Sequence, residues 1–63
     1  MIFDIIVSIQ YIKESGEYFV KRRNADTGKT IVSCTNTLSE TEREWATNCR
    51  WFQEFDNCVW WVN

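Results

Sequence analysis

The chain has 63 residues, of which 44% are hydrophobic and 25% charged, with 2 glycines, no proline and a formal net charge of −2. Such a composition excludes a disordered linker or low-complexity tract, and no apolar run approaches the roughly 18 residues a membrane-spanning helix needs. The mild negative charge exerts no global pull toward nucleic acid or anionic lipid. The N-terminal Met1-Ile2-Phe3-Asp4 has neither the basic segment nor the small-residue cleavage site expected of a signal peptide.

With no repeats and no linker-like stretch, one small globular domain over residues 1–63 is expected. Phe3, Ile5, Val7, Ile9 and Tyr11 alternate with Asp4, Ser8 and Gln10, and this period of two predicts a first strand. Ile2, Ile6 and Ile12 make its second face half apolar, which predicts a central strand or a covered edge. Glu14-Ser15-Gly16 supplies a turn in which Gly16 takes positive φ. Residues 17–23 predict the returning strand. Asn24 to Gly28 reads as a type I turn closed by a left-handed glycine. Residues 30–36 predict a third strand, with Val32 and Cys34 sharing a face.

Ser39-x-x-Glu42 is a capping box, in which the hydroxyl accepts from a first-turn amide and the glutamate reaches back to the cap. Glu40, Glu42 and Glu44 suit the positive end of the helix dipole. Trp45, Cys49 and Phe52 recur at helical spacing, so the helix is expected to run through Phe52, with Trp51 at the stripe margin and a stop near Asp56-Asn57. Cys58 to Val62 is rich in strand formers, although Val59 and Val62 also continue the helical spacing. The preferred reading is a short fourth strand, delivered by a crossover parallel to the first strand at its free edge. The expected fold is therefore α+β, a three-stranded meander followed by one helix and a short strand (βββαβ, order 4-1-2-3).

Chemistry is hard to assemble from this sequence. It contains no histidine, which removes the commonest general base, and Arg50 beside Cys49 is the only basic neighbour of a thiol. Gly28-Lys29-Thr30 resembles the tail of a phosphate-binding loop, but Arg23 stands where the motif needs glycine and strand formers follow instead of a helix. Cys34, Cys49 and Cys58 lack the paired spacing of a zinc site and are an odd number for a disulfide framework. They read as reduced core thiols of a cytoplasmic protein. No enzyme activity, cofactor or metal is expected.

Binding signals are stronger. Trp45, Trp51, Trp60 and Trp61, with Phe52 and Phe55, crowd the last nineteen residues. A domain this small buries only about 60% of the surface its unfolded chain exposes, so some of these rings must remain outside, where tryptophan favours interfaces. Trp60 and Trp61 are adjacent, and on a strand only one of them can enter the core. The charges are also polarised. Lys21, Arg22, Arg23 and Lys29 oppose only Asp26 in the second hairpin, whereas residues 38–57 carry five acids against two bases.

Two functions fit these features. The first is a protein-binding regulator or inhibitor, with Trp61, Trp51 and Trp60 as anchors and Glu40, Glu44 and Arg50 as rim charges. The alternative is a single-stranded nucleic-acid binder using Lys21, Arg22, Arg23 and Lys29 for phosphates and Tyr18 and Phe19 for base stacking. A structural homodimer is a third reading, and the edge of the third strand could also receive a partner's strand through Thr30, Ile31 and Thr35. In size, charge polarity and element order the plan is similar to very small phage- or plasmid-encoded proteins that bind and block a host enzyme or defence complex.

Overall fold

The computed structural model describes residues 4–62. It is an α+β fold in which β1 (Asp4–Ile12), β2 (Glu17–Asn24), β3 (Thr30–Thr35), α1 (Glu40–Thr47), β4 (Trp51–Glu54) and β5 (Cys58–Val62) follow in chain order. The strands form one sheet in the order β3-β2-β1-β5-β4, with every neighbouring pair antiparallel. The meander forms as the sequence predicts. Gly16 and Gly28 hold φ of 73° and 74° at its two turns, and the Asn24 carboxamide accepts from the Asp26 and Thr27 amides to fold the second one.

Strand number and order depart from expectation. The helix stops at Thr47 instead of continuing through Phe52, because Asn48 closes it: its backbone amide and its side-chain amide both donate to the Glu44 carbonyl. Trp51 and Phe52, released from the helix, have the aromatic character that favours extended backbone and become β4. The helical crossover therefore delivers residues 51–54, not 58–62, parallel to β1. The chain then reverses at residues 55–57, where the Phe55 amide donates to the Cys58 carbonyl at 2.7 Å. β5 lies beside β1 as anticipated, but antiparallel to it.

The first strand departs from simple alternation. A bulge between Ile6 and Ser8 inserts an extra residue against β2. Ile6 and Ile9, three apart in sequence, consequently both enter the core, while Ile5 is 45% exposed. The expected placements of Ile2 and Phe3 lie outside the described residues. Ile6, Ile9, Val20 and Leu38 form the core, bordered by Tyr18, Trp45, Ala46 and Trp61.

The helix is fixed to the sheet by more than apolar contact. The capping box closes as its spacing predicts: Ser39 Oγ accepts from the Glu42 amide at 3.2 Å, and Glu42 Oε1 accepts from the Ser39 amide at 2.8 Å. Arg22, reaching up from β2, donates to the other oxygen of the same buried carboxylate. Burial pushes the Glu42 carboxyl pKa upward, but the Ser39 amide, Arg22 and the Ser39 hydroxyl outweigh it and hold the group below the usual glutamate value. Eight helical residues cover the middle of one sheet face; the opposite face has no layer over it among the described residues.

Candidate interaction face

Alternation along the paired strands decides which side chains share that uncovered face. Trp61 and Val20 pack in the core beneath α1, so Trp60, Phe19 and Lys21, their immediate neighbours in sequence, point the other way. Cross-strand pairing extends the face. Trp60 stands beside Gln53 on β4 and Gln10 on β1, Gln10 beside Phe19, and Phe19 beside Cys34. In the next row Trp51 adjoins Val62, then Ser8, Lys21 and Val32. Arg23 and Thr30 follow at the end nearest the second turn.

The face has an aromatic end and a basic end. At the first, Trp51 and Trp60 meet edge-to-face with ring centroids 6.3 Å apart, and they remain 43% and 39% exposed. Cys58 lies buried beside them, its sulfur accepting from the Gln10 amide at 3.6 Å. Two strand spacings away, about 10 Å, Phe19 is half-buried. Beyond it Lys21 and Arg23 project into solvent. Glu17, the acid on this face, accepts from the Cys34 thiol at 3.2 Å. That hydrogen bond, with minor contributions from burial and from the carboxylate's charge, raises the Cys34 pKa above the usual thiol value.

The residues singled out from sequence are thus distributed over two surfaces. Of the three tryptophans proposed as anchors, Trp51 and Trp60 lie together on the open face, whereas Trp61 is half-buried against the core and tilts toward Phe52 at 5.7 Å. Glu40 and Glu44 are exposed on α1, on the opposite side of the sheet, and cannot share a patch with the indole pair. Arg50 is exposed in the connection that leads into Trp51. The basic hairpin divides in the same way. Lys21, Arg23 and Phe19 take the open face, while Arg22 is committed to Glu42 and Tyr18 stacks on Tyr11 at 4.7 Å beneath the helix layer. Lys29 borders a shallow groove with Asp4, Arg22, Ile31 and Ser33, also on the helix side.

Helical spacing places Phe52 on a stripe facing the sheet, Ile31 is expected only at the strand edge, and Val32 is not singled out; the three are 55%, 61% and 59% exposed. Their exposure follows from edge position: Phe52 on β4 and Ile31 on β3 are on the helix side, but the eight residues of α1 cover only the middle of that face, and Val32 is on the open face.

No family model matches the chain, and neither a curated protein nor a solved structure resembles it significantly. Among the described residues, no three His, Cys, Asp or Glu side chains converge as a metal centre, and no disulfide joins the three cysteines. Cys49 donates to the carbonyls of Val62 (2.9 Å) and Trp51 (3.2 Å), which ties the end of α1 to the last two strands. Among the described residues, no helix is long and apolar enough to cross a membrane.

Proposed function

We propose that the chain is a non-enzymatic binding protein, acting as a regulator or inhibitor, whose open sheet face grips a protein partner. The observation that carries this reading is the exposed, edge-to-face Trp51–Trp60 pair on a face with no covering layer among the described residues. Large indoles held by a rigid sheet lose little conformational freedom on docking, which is why tryptophan dominates interface hot spots. Lys21 and Arg23 lie on the same plane and favour a partner whose contact surface is apolar with an acidic margin. Arg50, beside Trp51, extends the rim. The unpaired thiols suit a reducing cytoplasm.

The test is capture of the partner on the immobilised chain. Trp60→Ala removes an anchor worth about 2 kcal/mol or more, a loss of roughly 30-fold in affinity. Capture should fall with Trp60→Ala and with a Lys21→Glu, Arg23→Glu double change, and survive Glu40→Ala and Glu44→Ala. The opposite pattern, dependence on the helix acids alone, would refute the assignment of the face.

A second reading has a specific observation in its favour: Phe19, Trp60 and Trp51 lie on one plane with Lys21 and Arg23. Aromatic platforms interleaved with cations stack bases and neutralise phosphates. Two cations imply a shallow salt dependence, a slope of about −1.4 in log affinity against log salt. Binding of an oligonucleotide with that slope, abolished by Trp60→Ala, would favour single-stranded nucleic acid over protein.

A further inference from the structure

The free edge of β3 differs from the other edge of the sheet. β4 offers four residues, and its end carries Glu54, which pairs with Lys13 at 2.7 Å. Short length and an edge charge are the usual protections against strand-to-strand association. β3 has neither. Its six residues, Thr30-Ile31-Val32-Ser33-Cys34-Thr35, include no charge and no proline, and β2 is its sole strand partner among the described residues. Ile31 on one face and Val32 on the other are among the most exposed apolar side chains of the molecule.

The backbone fixes which groups this edge presents. The Asn24 amide donates to the Lys29 carbonyl at 2.8 Å, which directs Lys29 toward β2. Antiparallel pairing alternates from there, so Ile31, Ser33 and Thr35 turn their amides and carbonyls inward while Thr30, Val32 and Cys34 turn theirs outward. Those three outward residues are symmetric about Val32. A second copy of the strand, related by a two-fold axis through Val32, sets Thr30 opposite the partner's Cys34 and Val32 opposite the partner's Val32. Ile31 then lies beside the partner's Ser33. All outward groups are satisfied in three hydrogen-bonded residue pairs, about six bonds, with no charge in the seam.

We propose that β3 pairs with β3 of a second copy of the chain, joining two five-stranded sheets into one continuous sheet centred on Val32. An identical strand suits this edge, because a dyad through Val32 satisfies every outward group while bringing no charged or proline residue into the seam. The seam leaves Trp51 and Trp60 at the two far ends of the enlarged open face and brings the two Lys21–Arg23 sets toward its middle. It uses none of the residues assigned to partner binding, so the two readings stand or fall separately.

Analytical ultracentrifugation over a wide concentration range tests this. The wild-type chain should approach twice the protomer mass as concentration rises. Val32→Pro removes an outward amide without touching the β2 ladder, and should leave a folded monomer by circular dichroism. Across the dyad the two Val32 Cα atoms stand about 5.5 Å apart, within disulfide reach. A Val32→Cys, Cys34→Ser variant should therefore oxidise to a dimer linked through residue 32, a result that does not depend on how well the proline variant folds. A wild-type chain that stays monomeric throughout overturns the proposal and leaves the edge to a strand from a different protein. So does a dimer that survives Val32→Pro, fails to cross-link at residue 32 and is lost with Trp60→Ala, since it would pair the open faces instead.

Discussion

Replacing Glu42 by alanine is expected to remove a large share of the stability of this fold. The carboxylate is buried and serves two partners at once, the Ser39 amide at 2.8 Å and the Arg22 guanidinium. A hydrogen bond to a charged group contributes about 1.5–3 kcal/mol. The Arg22 side chain is 30% exposed, so water can resolvate it and the lost ion pair adds at most about 1 kcal/mol. Alanine's better helix propensity returns a few tenths, about 0.5 kcal/mol. The net loss is about 1–3.5 kcal/mol, against a total of roughly 3–5 kcal/mol available to a single core of this size. Urea unfolding followed by far-ultraviolet circular dichroism measures it, with Glu40→Ala, exposed on the same helix, as the control. If Glu42→Ala and Glu40→Ala unfold within about 0.5 kcal/mol of each other, Arg22 and Ser39 do not anchor α1 as described.

Other expectations follow from the same contacts. Because the folded-state pKa of Glu42 is lowered, its contribution is complete above the unfolded glutamate value of about 4.3 and is lost as pH falls below it; in Glu42→Gln that part of the acid destabilisation should disappear. Ile9 is fully enclosed, and Ile9→Ala should cost about 2–5 kcal/mol, enough to leave the chain largely unfolded in a thermal melt. A Cβ at Gly16 meets nothing within 4 Å, so Gly16→Ala should cost only the conformational strain of positive φ, about 1–2 kcal/mol, in the same urea assay. The Cys34 thiol, held protonated by Glu17, should alkylate faster at fixed pH in Glu17→Gln; an unchanged rate would show that the hydrogen bond does not govern its reactivity.

What the sequence made legible was local. The hairpin glycines, the capping box and the strands of the meander each rest on a few neighbouring residues, and all form as their spacing implies. The first strand was legible as a strand but not in phase. The consecutive apolar residues Ile5, Ile6 and Val7 hide the bulge that turns Ile6 and Ile9 to one side, since either parity finds a hydrophobic residue. Residues 48–54 were misread as helix because Trp45, Cys49 and Phe52 satisfy a helical period by coincidence, although the strand at Cys58–Val62 forms as preferred. The competing signal was the run of strand-forming aromatics at Trp51-Phe52, whose pairing with β5 outweighs helix propensity.

The same reasoning explains the candidate surface. That one of Trp60 and Trp61 must face outward followed from adjacency alone. Which one does so depends on where α1 packs, and the core contact of Trp61 answers it. The four cations of the hairpin looked like one cluster in sequence, but strand alternation sends Lys21 and Arg23 to one side and Arg22 and Lys29 to the other. Arg22 then becomes a structural residue, because α1 sets a buried carboxylate directly above it.

Oxidative footprinting of the tryptophans, free and in the presence of the captured partner, tests the central claim most directly. In the isolated chain Trp51 and Trp60 should be modified faster than Trp45 and Trp61, and partner binding should protect the first two while leaving the second two unchanged. Protection confined to Trp45 and Trp61, with Trp51 and Trp60 still reactive in the complex, would place the interface on the helix side and contradict the account.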